Sequence, residues 1–132
     1  MASIFTRIIS RDLPAHIIAE NDQYISFLDI APLAKGHCLV VPKKEIDYIF
    51  DLDDDTLSGL YLFSKKVAVA LKEVVPCIRV GTTVIGIEVP HAHVHLIPLN
   101  SMGDMNFANQ KLSFKPDELA QLAKEIGALV KL

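Results

Sequence analysis

The sequence is poor in several features that would assign a role at once. Only two cysteines, Cys38 and Cys77, occur in 132 residues, too few for a disulfide framework. Each sits among apolar neighbours and reads as a buried thiol. No run of lysine or arginine is longer than a pair, and the formal net charge is −3. That removes the basic footprint that nucleic-acid binding needs, while small nucleotides stay open because a pocket needs few donors. No apolar run approaches the length of a membrane span. The N-terminal MASIFTRIIS is interrupted by Arg7 and lacks the apolar core of a signal peptide. The expected location is cytoplasmic, with no membrane partner. With no internal repeat and no linker, residues 1–132 read as one domain.

What is present is a globular composition, with 51% apolar and 22% charged residues. Residues 16–20 and 24–30 are rich in β-branched and aromatic side chains, with Asn21-Asp22 as the turn between them. A loop over 31–36 closes at Gly36, and 37–42 reads as a buried strand ended by Pro42. Asp53, Asp54 and Asp55 suit the N-cap and first turn of a long helix. Its apolar face is predicted to hold Leu57, Leu60, Tyr61, Ser64, Val67, Ala68, Leu71, Val74 and Val75, with Pro76 as the stop. Residues 78–86 and 91–99 are two further strands, predicted to form a hairpin joined by IEVP. Residues 100–112 are polar and loop-like. A second helix begins between Ser113 and Pro116, with Leu119, Leu122, Ala123 and Ile126 inward and Gly127 at its end. The order predicts an α+β domain around an antiparallel sheet. His16 is expected to be an exposed strand residue.

Residues 91–99 read HAHVHLIPL, so three of the five histidines fall within five positions. On a strand His91, His93 and His95 share one face, while Ala92, Val94 and Leu96 face the core. Neighbouring histidines are then roughly 6.6 Å apart along the backbone and the outer pair about 13 Å. One straight strand cannot easily bring three imidazoles to a tetrahedral ion. A metal would need a further ligand, with His37, Glu88 or Asp29 as candidates; none is assigned. A structural role is the bland alternative, but three imidazoles on a buried strand each need partners for two ring nitrogens. Catalysis fits better: neutral imidazole is a nucleophile, its pKa lies near working pH, and neighbouring imidazoles can stabilise charge at phosphorus.

HAHVHLI, together with IFTRIIS near the start, SFLDIAPLAKGHCLVVPKK (26–44) and the long helix before the triad strand, resembles the histidine triad (HIT) family. The resemblance covers residues 3 to about 99; the loop and helix over 100–132 carry no motif of it. It implies a fold with about five antiparallel strands, a long helix and a C-terminal helix. It also implies a homodimer in which the sheets join and the long helices pack. The implied activity is hydrolysis or transfer at the α-phosphorus of purine nucleoside monophosphate derivatives, phosphoramidates favoured, with no cofactor. By the same resemblance His93 attacks phosphorus and forms a covalent nucleotidyl-histidine. His91 buttresses it, while His95 and His37 converge on the phosphate and leaving group. Asp29 matches the carboxylate that holds the ribose hydroxyls, and Ile4, Phe5, Ile8, Phe27 and Ile30 match the walls around the base.

The chain also departs from the family pattern. The phosphoramidate-hydrolysing branch carries glycine, glutamine and serine before the triad, whereas this segment is GIEVPH (86–91). Gly86 fits, and Gly86, Glu88 and Val89 are expected to line the site. Pro90 has no N–H to donate. Glu88 has three readings: a proton donor, a recognition group for a cationic amine, or a side chain turned to solvent. Thr83 aligns loosely with the family's asparagine as a substrate-binding position. Some bacterial relatives hold structural zinc through an N-terminal CxxC pair. Ser3 and Thr6 stand at those positions here, and Glu45 replaces a histidine common after PKK. Two alternatives remain: hydrolysis of dinucleoside polyphosphates, and a nucleotide-binding regulator or scaffold whose chemistry is incidental.

Overall fold

The computed structural model describes residues 2–132. Five antiparallel strands, β1 (Ile17–Glu20), β2 (Tyr24–Leu28), β3 (Cys38–Pro42), β4 (Arg79–Thr83) and β5 (Val94–Leu99), form one sheet in the order β1-β2-β3-β5-β4. The expected α+β architecture is therefore present, with three helices: α1 (Ile4–Ile9), α2 (Asp54–Val74) and α3 (Pro116–Leu129). Strands β2 and β3 are buried along their whole length. That explains why they read as nearly continuous apolar runs, Ser26 in β2 being the one polar side chain, rather than alternating ones.

The two faces of the sheet are covered differently. Helices α2 and α3 pack on one face over Leu28, Val40, Val94 and Leu96. Helix α1 packs on the other, where Phe5 and Ile8 meet Ile25, Phe27, Leu39 and Val41. Period-2 alternation along β3 divides its residues between these two cores. The register places Leu39 opposite His95 and Val40 opposite Val94, so the histidines project on the α1 side.

Helix α2 starts where expected, with the Asp53 carboxylate accepting the Thr56 N–H at 2.7 Å. Its buried face differs from the expected one. Phe63 and Ala70 are buried, whereas Tyr61 is 42% exposed. The Tyr24 ring sets this rotation: it lies 5.8 Å from Phe63, and its hydroxyl donates to the Thr56 carbonyl at 2.9 Å. Gly59 makes the approach possible, since a β-carbon there would fall 2.1 Å from the Tyr24 oxygen. Ser64, the polar member of the face, is buried and donates its hydroxyl to the Leu60 carbonyl at 2.8 Å.

Other expectations need correction. Residues 4–9 form a helix, capped by the Ser3 hydroxyl accepting the Thr6 N–H at 3.0 Å. The hairpin connection spans 84–93 rather than four residues, and β5 begins at Val94, not His91. Helix α3 continues through Gly127 to Leu129. His16 is half-buried ahead of β1, its carbonyl accepting the Leu28 N–H at 3.0 Å. Cys38 is buried and its thiol is pushed up to about 12 by that burial, but Cys77 is partly exposed. No described helix is long and apolar enough to cross a membrane.

Candidate active site

Only His95 of the triad lies in the sheet; His91 and His93 sit on the segment that leads into it. Their backbone leaves the β3 ladder because it bonds elsewhere. The Ala92 N–H donates to the Ile46 carbonyl at 2.7 Å, and the His91 N–H to Val89 at 2.8 Å. The expected alternation survives: Ala92, Val94 and Leu96 are buried in the helix-covered core, and the three imidazoles take the opposite face. Extended backbone alternates its side chains whether or not it is paired.

Hydrogen bonds assign a tautomer to each buried ring. His91 Nε2 is 2.7 Å from the Pro42 carbonyl, which can only accept, so Nε2 carries the proton. Its Nδ1 therefore accepts from the Ser3 hydroxyl at 2.7 Å. His93 Nδ1 lies 2.7 Å from the His91 carbonyl and must donate. The lone pair of His93 is consequently on Nε2. At the other end, the Leu33 N–H donates to His37 Nδ1 at 3.0 Å, which leaves the His37 proton on Nε2. That proton faces His95 Nδ1 at 3.0 Å, so His95 carries its own on Nε2. The result is an acceptor nitrogen on His93 beside a donor nitrogen on His95, with ring centroids 5.0 Å apart.

Burial keeps these rings neutral. His93 is held below the ordinary histidine value by burial, opposed by the His91 carbonyl and the Asp29 charge. Burial also lowers His37 and His91. His95 is lowered furthest, to about 3, by burial and then by the charges His93 and His37 would carry. At neutral pH His93 offers a lone pair and His95 an N–H.

A cavity of about 470 Å³ opens over the pair, lined by Phe5, Asp29, Ala31, Leu39, residues 85–89, His93, His95, Phe107 and Lys111. It gathers the expected Phe5, Asp29, Gly86, Glu88 and Val89. Asp29 Oδ1 accepts the Ala31 N–H at 2.9 Å, and Oδ2 stands 3.6 Å from His37 Nε2. Phe5 is the wall itself, its ring edge-on to His93 at 4.9 Å, with Phe27 5.5 Å behind it and Ile8 in the same core. Ile4 and Ile30 are 55% and 75% exposed and lie off the lining. Thr83 pairs with His95 across β4 and β5 and also lies off it.

Sequence reasoning missed Phe107 and Lys111. The Phe107 ring is 5.0 Å from His95 and 6.1 Å from His37, and the Lys111 ammonium is 5.8 Å from the Phe107 centroid. The loop carrying them is held by the Leu112 N–H donating to the Pro32 carbonyl at 2.8 Å. A lone aromatic in a polar stretch was the only available signal.

Asp29, His37 and His95 bring ligand-type atoms within 4.8 Å of one another. The Leu33 amide argues against a metal there, because it occupies the His37 Nδ1 lone pair and leaves a proton on the Nε2 that would ligate. Around His91, Ser3 and Thr6 supply neutral hydroxyls that hydrogen-bond to their neighbours. That is not the thiolate and imidazole set structural zinc takes, so neither cluster fits the ion.

Residues 10–102 match the HIT domain model. The adenosine 5'-monophosphoramidase of Schizosaccharomyces pombe is 31% identical, over 99% of this chain and 100% of that one. A Hit-like protein of Bartonella henselae, described as involved in cell-cycle regulation, superposes with a TM-score of 0.83 at 29% identity, covering 96% and 95% of the two chains. A zinc-bound histidine triad protein of Mycobacterium smegmatis gives 0.83 at 25% identity, covering 97% and 94%. Helices on both faces of one five-stranded sheet, the packed rings of His37, His93 and His95 with His91 behind them, and these matches agree: the chain belongs to the histidine triad family.

Proposed function

We propose that the chain hydrolyses purine nucleoside phosphoramidates at the α-phosphorus through a covalent intermediate on His93. One observation carries this reading: His93 Nδ1–H is held by the His91 carbonyl, which turns a free Nε2 lone pair toward the cavity beside the His95 N–H. Nε2 attacks phosphorus, an N–P bond forms, and the bond to the amine breaks. The His95 N–H hydrogen-bonds to the departing nitrogen, which takes its proton from a solvent water and leaves as the neutral amine, that water becoming hydroxide. The nucleotidyl ring is cationic, and the His91 carbonyl and Asp29 both favour that charge. The hydroxide then attacks phosphorus, the N–P bond breaks with its electron pair returning to Nε2, and neutral His93 and the nucleoside monophosphate separate. Asp29 has one oxygen not committed to Ala31 for the ribose hydroxyls, and Phe5 forms a wall for the base.

The activity of the Schizosaccharomyces pombe relative supports the phosphoramidate substrate. The test is release of a fluorogenic amine from an adenosine phosphoramidate in EDTA, with intact-mass detection of the nucleotidyl adduct. Turnover and adduct in the parent, and neither in His93→Ala, are expected. Turnover by His93→Ala at the parental rate sinks the mechanism. Lys111, the one lysine on the cavity lining, favours a second reading in which the leaving group is a phosphate, as in dinucleoside polyphosphates. That reading expects Lys111→Met to slow polyphosphate cleavage while amine release is unchanged.

A homodimer is part of the proposal. Tyr61, Leu62 and Val69 are 42%, 61% and 57% exposed on α2, and β4 is an open sheet edge. Sedimentation at micromolar concentration is expected to give twice the chain mass.

A further inference from the structure

Behind the triad, Ser3, Thr6 and Glu45 close a hydrogen-bonded cluster on the His91 ring, and the chemistry above does not use these three side chains. Glu45 Oε1 accepts the Ser3 amide proton at 2.7 Å and the Thr6 hydroxyl proton at 2.6 Å. The Ser3 hydroxyl accepts the Thr6 amide at 3.0 Å and reaches His91 Nδ1 at 2.7 Å. Thr6 Oγ1 stands 3.3 Å from Ser3 Oγ and 3.4 Å from His91 Nδ1, and Glu45 Oε1 is 4.0 Å from that nitrogen. Proton accounting is what gives the cluster direction. The carboxylate takes the only hydroxyl proton Thr6 has, so Thr6 cannot donate to the imidazole. The Ser3 proton is then directed to His91 Nδ1, the shorter of its two contacts. Glu45 therefore decides which hydroxyl serves the ring.

The contact has consequences at the reacting atom. His91 is pinned at both nitrogens, by Ser3 on one side and the Pro42 carbonyl on the other. Its own carbonyl is what holds His93 Nδ1 at 2.7 Å. Helix α1, which starts at this cluster, carries Phe5, whose ring abuts both His91 and His93 at 5.9 and 4.9 Å. Two routes thus run from Glu45 to His93: one through His91 and one through the first turn of α1.

We propose that Glu45 is a positioning residue for the triad, acting through Ser3 and Thr6 to fix the His91 ring and, through the His91 carbonyl, the aim of His93. What the role requires is an acceptor at that place rather than a charge. The carboxylate's low value, about 2, follows from the Thr6 and Ser3 donors that hold it. The kinetic consequence rests on His93 being the reacting group, as proposed above; the structural one does not.

The test reads both. Imidazole ¹⁵N spectra of the free protein are recorded for the parent, Ser3→Ala, Glu45→Ala and Glu45→Gln, beside kcat and KM for amine release. Ser3→Ala and Glu45→Ala are expected to move the His91 Nδ1 resonance toward that of a non-hydrogen-bonded ring nitrogen. Both are expected to lower kcat by about tenfold with KM within about twofold, since misaiming a reacting atom slows chemistry more than binding. Glu45→Gln, which keeps the acceptor, restores both readouts. An unmoved His91 signal in Glu45→Ala overturns the proposal, as does one in Ser3→Ala. So does a Glu45→Gln protein as slow as Glu45→Ala. Absence of parental turnover would sink the phosphoramidate reading alone, because the spectra need no substrate.

Discussion

Acid should destabilise this protein from about pH 6.5 downward, and His95 sets the expected size of the effect. The unfolded chain takes up a proton at residue 95 near 6.5, whereas the folded chain does so only near 3. A folded value below the unfolded one means that protons bind the unfolded state preferentially. Stability from the neutral ring is thus fully present above 6.5 and is lost as pH falls below it. The slope is at most about 1.4 kcal/mol per pH unit for one histidine. Between 6.5 and about 4.5, His95 alone would remove at most about 2.7 kcal/mol, and roughly 2 kcal/mol once its access to cavity water is discounted. His37, His91 and His93 are lowered for the same reason and add with the same sign. The lowered carboxylates Glu20, Glu45, Asp53 and Asp104 lose their contribution only below their ordinary values of 4.5 and 3.8, outside this window. Urea unfolding followed by helix circular dichroism at both ends of the window, for the parent and for His95→Gln, measures the difference. The parent should lose several times RT, and His95→Gln should show a shallower slope by about one proton. Equal parental stability at both ends, within about 0.5 kcal/mol, would refute the account of neutral buried imidazoles.

His37→Ala removes the donor that holds His95 Nδ1 and frees the wrong tautomer. Release of a poor alkylamine should slow by about 10²-fold, while release of an acidic phenol, which needs no N–H donor, should change little. Phe107→Ala uncovers the His95 and His37 rings. The His95 titration measured by NMR should then move upward from about 3, because its first cause is burial. Gly127→Ala would place a β-carbon 2.3 Å from the Ile18 carbonyl, where α3 crosses β1. A loss of about 1–3 kcal/mol in urea unfolding is expected, against almost none for Gly103→Ala, where nothing lies within 4 Å.

How far the fold and site could be read depended on how each residue signals its place. The histidine face was legible because alternation is a property of extended backbone, so it held although β5 begins three residues later than expected. The sheet and α2 were legible from buried runs and the aspartate cap. Helix α1 was not, since IFTRII is β-branched and only six residues long; its Ser3 cap and the packing of Phe5 and Ile8 make it helical. The α2 face was misread at Tyr61 and Phe63 because both fit an amphipathic stripe, and only the contact with Tyr24 decides between them. Phe107 and Lys111 were invisible for a different reason. Their place depends on a loop folding back over residues 30–34, a non-local event that no local pattern encodes.

The connection over 84–93 separates two properties of the site. Its far end is tied down, through Ala92 to Ile46 and through the His91 ring to Pro42 and Ser3. Its middle, Ile85 to Glu88, makes no hydrogen bond to the rest of the chain among the described residues, yet lines the cavity. Lengthening, shortening or recharging that middle would therefore alter what enters the cavity while leaving the register of the imidazoles as it is. The stretch that lines the cavity and the stretch that fixes the imidazoles are adjacent but separately tied, so substitutions confined to 85–88 are expected to leave the His93 and His95 hydrogen bonds in place.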